Sequence, residues 1–125
     1  MLLAVGVDIV SVKRFEELHR KYGERLIKKV FPEGVDYCFK KRRGELQGCL
    51  AARFALKEAT VKALSQAGLR TSISRVKVLG GGKELKVEVE GLKGRGLKLL
   101  FSISHERDYA VAVVNLVEET RHYPV

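Results

Sequence analysis

The sequence predicts an α+β domain: an N-terminal strand, then helices including one long buried central helix, then a C-terminal antiparallel meander. Three observations predict it. Leu3, Val5, Val7 and Ile9 alternate with Ala4, Gly6 and Asp8, which is the period of a strand. In residues 50–64 ten of fifteen positions are apolar, pointing almost all round a helix axis, as in a buried helix. From residue 74 onward the pattern shortens to strand-like segments separated by turns.

Each element follows from local signals. Ser11 is a helix N-cap, and Val12, Phe15, Leu18, Tyr22, Leu26 and Val30 recur at helical spacing behind it. Gly23 breaks or bends that run, and Phe31-Pro32-Glu33-Gly34 ends it. A short helix is expected over 35–41 and the central helix over 46–67, with Gly68 as its stop. Strands are expected at 74–79, 84–90, 97–104 and 109–117. Gly80-Gly81-Gly82 joins the first two. It lacks the Lys-Ser/Thr and following helix of a phosphate loop, so a hairpin turn is the better reading. The chain of 125 residues reads as a single domain, 1–117, with 118–125 as a loose tail.

Composition narrows the function. The net charge is +9, and residues 11–43 carry eleven Lys/Arg against five Asp/Glu. Such a face attracts an anionic partner: nucleic acid, an acidic protein or a phosphorylated small molecule. Lys40-Lys41-Arg42-Arg43 is a weak nucleic-acid signal, and with no Trp and few aromatics no stacking platform for single strands stands out. No apolar run reaches transmembrane length, and the apolar start contains Asp8 and lacks a basic lead, unlike a signal peptide. A cytoplasmic protein is the expectation. Cys38 and Cys49 have no metal-ligand spacing and are expected to be reduced and structural.

Four charges on a buried helix require an account, because isolated buried charges are expensive. Glu58 and Lys62 share one face of it, and Arg53 and Lys57 another. The pair Glu58–Lys62 reads either as an ordinary surface ion pair or as a metal-holding carboxylate beside a phosphate-holding lysine. Asp8 reads either as a strand-end cap or as a second carboxylate for the same purpose. His105, ending Ser102-Ile103-Ser104-His105, is a general acid/base, a phosphate ligand or a plain turn residue.

Four separated segments then form one pattern: Gly6-Val7-Asp8-Ile9-Val10, Tyr37-Cys38, the run 50–64 with Phe54-x-x-Lys57-Glu58-x-x-x-Lys62, and Ser102-Ile103-Ser104-His105 with Asp108-Tyr109-Ala110. Together they resemble holo-[acyl-carrier-protein] synthase, the small homotrimeric group of phosphopantetheinyl transferases, nearly to residue 117. The resemblance implies transfer of the 4'-phosphopantetheine arm of coenzyme A to a serine of apo acyl carrier protein in fatty acid biosynthesis, with adenosine 3',5'-bisphosphate as the other product. It implies magnesium held by Asp8 and Glu58, with Asp8, Glu58 and Lys62 catalytic. Arg53, Lys57, Lys62 and His105 are the implied cofactor-binding residues, with Lys57 left open between touching ligand and supporting the helix, and active sites are implied between subunits of a trimer. The proton acceptor is left open between Glu58 and a metal-bound water relayed by another carboxylate.

The resemblance also gives the basic helix a partner. Acyl carrier protein is acidic, so Arg14, Arg20, Lys21, Arg25 and Lys28 are candidates for docking it, an interaction that salt should weaken. The chain departs from the family pattern at three places. Gly80-Gly81-Gly82-Lys83 has no proline, Phe31-Pro32-Glu33-Gly34 shortens a segment that normally ends in glutamate, and Ser65-Gln66-Ala67-Gly68 replaces a glycine-rich turn. The competing class is a small basic nucleic-acid-binding protein with no catalysis. A third reading is a relative that docks an acidic partner without turnover.

Overall fold

The computed structural model describes residues 1–40 and 45–119. Strand β1 (Leu2–Ser11) leads directly into helix α1 (Val12–Tyr22), where the Ser11 hydroxyl accepts a hydrogen bond from the Arg14 N–H at 3.2 Å. Gly23 stops α1 with φ 59°, a conformation open to glycine, and α2 (Glu24–Val30) starts afresh. The expected single run is thus two helices. A short α3 (Asp36–Phe39) precedes α4 (Leu46–Gln66), after which Gly68 turns the chain with φ 78°. β2 (Val76–Leu79), β3 (Lys86–Val89), β4 (Leu97–His105) and β5 (Tyr109–Glu118) complete the order.

The expected meander is two hairpins in two sheets. β2 and β3 form a two-stranded sheet, while β4 and β5 join the N-terminal strand in the order β1-β5-β4, antiparallel throughout. β5 continues to Glu118, and the Glu119 N–H donates to the Gly96 carbonyl at 2.8 Å. The first two residues of the expected tail therefore belong to the fold, and residues 120–125 lie outside the described residues.

Helix α4 is the axis of packing. Its N-terminal half buries Cys49, Leu50 and Ala51 against Val12, Phe15 and Ile27 of the smaller helices and Phe31 and Val35 of the segment between α2 and α3. Its C-terminal half buries Ala55, Leu56, Ala59, Ala63 and Leu64 against Ala4, Ala112, Val114 and Leu116 of the sheet and Val78 of β2. The sheet contact is made of small residues, so strand and helix backbones come close. Gly6 is the extreme case: a Cβ there would overlap the Ala59 carbonyl oxygen.

That contact settles which way β1 faces. Ala4, Gly6 and Asp8 turn toward α4, and the larger Val5, Val7 and Ile9 turn away. With Tyr109, Val111 and Val113 of β5 they make an exposed apolar face, Ile9 being 66 % and Val7 58 % exposed. An antiparallel sheet that meets water on one face normally carries polar residues there.

The reduced state expected of the cysteines is corrected. Cys38 and Cys49 form a disulfide, their Cα atoms 5.5 Å apart, and both are buried. An eleven-residue separation carries no such signal by itself. α3 folds back onto the first turns of α4 and brings both sulfurs into one core. Closing a loop of this length contributes about 3 kcal/mol through the unfolded chain. Replacing both cysteines with serine should lower unfolding free energy by roughly that amount. Guanidinium unfolding with and without reductant measures it, and reductant should act on the wild type alone.

Candidate active site

Asp8 and Glu58 come together where β1 crosses α4. Asp8 is on the helix-facing side of its strand, and the bare backbone of Gly6 two residues earlier permits the close crossing. Lys62 Nζ lies 2.9 Å from Asp8 Oδ1 and donates to the Val7 carbonyl at 3.1 Å. Asp8 is largely shielded, with 15 % of its side chain exposed, whereas Lys62 reaches solvent. Glu58 does not pair with Lys62 as an i,i+4 bridge; Lys62 turns to Asp8 instead. Burial first, and then the neighbouring charge of Asp8, push the Glu58 carboxyl above the usual carboxylate range, while Lys62 opposes the shift.

Two carboxylates forced together, with one of them resisting ionisation, suit a divalent cation. Among the described residues no three His, Cys, Asp or Glu side chains gather as a metal cage. The carboxylates that this crossing offers to a cation are Asp8 and Glu58. That fits magnesium, which takes one or two carboxylates and completes its shell with water and substrate phosphate oxygens.

Arg53 lies on another side of α4. It is buried, donates from Nη2 to the Val78 carbonyl at 3.0 Å and stands 5.7 Å from the centre of the Tyr37 ring. Desolvation lowers its pKa, with Glu33 and Tyr37 opposing. Its Nε–H is buried without a hydrogen-bond partner among the described residues. The residue lines a cleft of about 440 Å³ together with Tyr37, Lys40, Gly80 and Gly81. Gly81 packs flat on the Tyr37 ring, where a Cβ would overlap it, so the glycine turn is a wall of this cleft.

Lys57 is corrected. Its side chain is fully buried and its three donors are taken: the Val30 carbonyl at 2.7 Å, Glu33 Oε1 at 2.9 Å and the Ile73 carbonyl at 3.3 Å. An ammonium has three N–H groups, so none is left for a ligand. Desolvation lowers the Lys57 pKa, and Glu33 opposes this. Helical spacing places Lys57 with Arg53 on one face; it does not say that this face looks inward. Glu33 is the residue that sequence reasoning passed over. Its second oxygen accepts from the Val78 N–H at 3.0 Å. The signal available was the buried lysine itself, which requires a carboxylate, and the glutamate of the shortened 31–34 segment supplies it.

His105 ends β4, at the far edge of the sheet from Asp8. Asp8 pairs with Ala112 and Ala112 with Ile103, so β5 separates the two strands. The His105 ring meets α4 at Gly48, ten residues and thus about 15 Å along the axis from Glu58. One chain therefore brings Asp8, Glu58 and Lys62 together but leaves His105 apart from them. Of the basic residues, Arg14, Arg25 and Lys28 are exposed with no ion pair among the described residues; Arg20 bridges Glu16 at 3.0 Å and Lys21 lies over the Tyr22 ring. Lys41, Arg42 and Arg43 lie outside the described residues.

The family model for the 4'-phosphopantetheinyl transferase superfamily matches residues 4–114. The chain belongs to this superfamily. Among phosphopantetheinyl transferases it is 42 % identical over 119 residues to the holo-[acyl-carrier-protein] synthase of Thermodesulfovibrio yellowstonii, covering 91 % of this chain and 97 % of that one. The synthase of Halothermothrix orenii is 38 % identical over 122 residues, covering 91 % and 96 %. Among solved structures, the Helicobacter pylori synthase in complex with coenzyme A superposes with TM-score 0.72 at 29 % identity, covering 90 % of this chain and 99 % of that one. The Chronobacterium ammoniagenes ACPS-CoA complex gives 0.73 at 26 %, covering 94 % and 98 %. The nucleic-acid reading has no support among these relatives.

Two expectations follow for this phosphopantetheinyl transferase. Lys57→Met leaves Glu33 buried and uncompensated and should cost about 3–5 kcal/mol of stability, measured by guanidinium unfolding. For Glu58, a folded pKa above the unfolded one means stability is highest when the group is protonated and is lost as pH rises through the folded pKa. In metal-free buffer Glu58→Gln should therefore melt higher than wild type at neutral pH. The gain should vanish as pH falls below the ordinary glutamate range; melting curves across that range check it.

Proposed function

We propose that this chain transfers the 4'-phosphopantetheine arm of coenzyme A to a serine of apo acyl carrier protein, releasing adenosine 3',5'-bisphosphate. The observation that carries the reading is the joint placement of Asp8, Glu58 and Lys62 at one strand–helix crossing in a chain of this superfamily. The serine oxygen attacks the phosphorus that bears the pantetheine arm, the bond to the adenosine-side phosphate breaks, and that phosphate leaves with the electron pair. Asp8 and Glu58 would hold magnesium, which when bound supplies charge compensation at the pyrophosphate. Lys62, reaching solvent beside Asp8, meets a phosphate oxygen and offsets charge on the leaving group. The serine proton goes to Glu58 or to a water held at the carboxylate pair. Arg53 binds a phosphate of the adenosine end from the cleft that it lines, with Tyr37 and Gly81 as walls. His105 binds another phosphate of the same cofactor.

The separation of His105 from Asp8 within one chain supports a site completed by a second copy. The exposed apolar face of Val5, Val7, Ile9, Val111 and Val113 supports association of copies, and a homotrimer is the assembly that resemblance to the small holo-[acyl-carrier-protein] synthase group implies. Arg14, Arg25 and Lys28 then dock the acidic carrier protein, with Arg20 and Lys21 at the margin. No helix among the described residues is long and apolar enough to cross a membrane; the reading puts the enzyme in the cytoplasm, in fatty acid biosynthesis.

Intact mass spectrometry of apo acyl carrier protein, incubated with this protein, coenzyme A and magnesium, tests the reading. A gain of one phosphopantetheine arm is expected, and a chelator should abolish it. Asp8→Ala and Glu58→Ala should each abolish the gain while remaining folded. Near-wild-type transfer by either variant counts against the carboxylate pair.

A further inference from the structure

Gly48 is buried in the first turn of α4. Glycine is among the poorest helix formers, and alanine would suit the helix better. The neighbour across the gap explains the glycine. A Cβ at this position would lie 2.6 Å from Nδ1 and 3.0 Å from Cε1 of His105. The imidazole thus rests its Nδ1–Cε1 edge on bare helix backbone, and Nε2, bonded to Cε1, is the ring nitrogen outside that contact. The backbone beneath the ring is fixed, since His105 pairs with Ala110, which is wholly buried. With the strand held, added bulk at 48 is accommodated by turning the ring.

We propose that Gly48 is a positioning residue for His105: by leaving empty the space of one methyl group, it sets the plane of the imidazole and so the direction in which Nε2 meets a phosphate of coenzyme A. This rests on the role given to His105 above. The helix gives up a better residue in its first turn so that a side chain from β4 can lie against it. The ring is oriented by contact with helix backbone along its Nδ1–Cε1 edge.

Calorimetric titration of coenzyme A into wild type, Gly48→Ala, His105→Ala and the double variant tests this, alongside the melting temperature of each. Gly48→Ala should melt no lower than wild type, yet bind coenzyme A at least about tenfold more weakly, the scale of one lost hydrogen bond to a charged group. In the His105→Ala background the same substitution should have no further effect on binding. Unchanged affinity in Gly48→Ala, with His105→Ala weakened, overturns the proposal and leaves the role of His105 standing. Full affinity in His105→Ala overturns that role and the proposal with it. Additive losses in the double variant also overturn it. Should Gly48→Ala fail to fold, restored folding in the double variant upholds the contact, and persistent unfolding overturns it.

Discussion

The buried Lys57–Glu33 pair is the interaction on which the rest of the structure depends. A charge at the heart of α4 is tolerable only if every polar atom around it is satisfied. Here the ammonium takes the last carbonyl of α2, a carboxylate from the following turn and the carbonyl of Ile73, while the carboxylate takes the Val78 N–H. One ion pair therefore ties the small helices, the central helix and the β2–β3 hairpin to a common point. Phe31 lies under the ammonium, 5.3 Å from ring centre to Nζ, and stacks toward Phe15. The cleft around Arg53 inherits its shape from this tie, since Glu33 and Val78 form its floor.

A second constraint works on the opposite side of α4. Small residues at 4, 6, 55, 59, 63 and 112 let sheet and helix approach more closely than leucines would permit. The closeness is what sets an aspartate of a strand beside a glutamate of a helix. Electrostatic cost follows from geometry: Glu58 is held where it resists ionisation, and Lys62 relieves only part of this. On the function proposed above, a cation and a polyanionic substrate would offset each other's charge there.

Much of this was legible in the residues. Period two in β1 and the i,i+4 spacing put Asp8, Glu58 and Lys62 on definite faces, but spacing left each open to a plain structural role, and the family resemblance supplied the site. Spacing is silent on which face looks inward. Lys57 therefore stayed open between ligand contact and support of the helix, and its burial with all three donors engaged makes it support. Partners far apart in sequence were equally hidden: Glu33 is 24 residues from Lys57, and Cys38 reaches Cys49 only because α3 doubles back. The direction of Val5, Val7 and Ile9 was hidden too, since alternation reports two faces and the small residues, not the large ones, took the helix side.

The outer edge of β1 carries one more consequence. An exposed apolar sheet with an unpaired edge strand invites further strands to add without limit. Here α4 reaches over that edge: Gln66 Oε1 accepts from the Val5 N–H at 3.4 Å, and Lys62 donates to the Val7 carbonyl at 3.1 Å. The hydrogen-bonding groups a foreign strand would need at these positions are already engaged. Growth in the plane of the sheet is opposed at these two positions while its greasy face stays open, so the edge of this sheet is guarded by side chains of its own helix and the face is not.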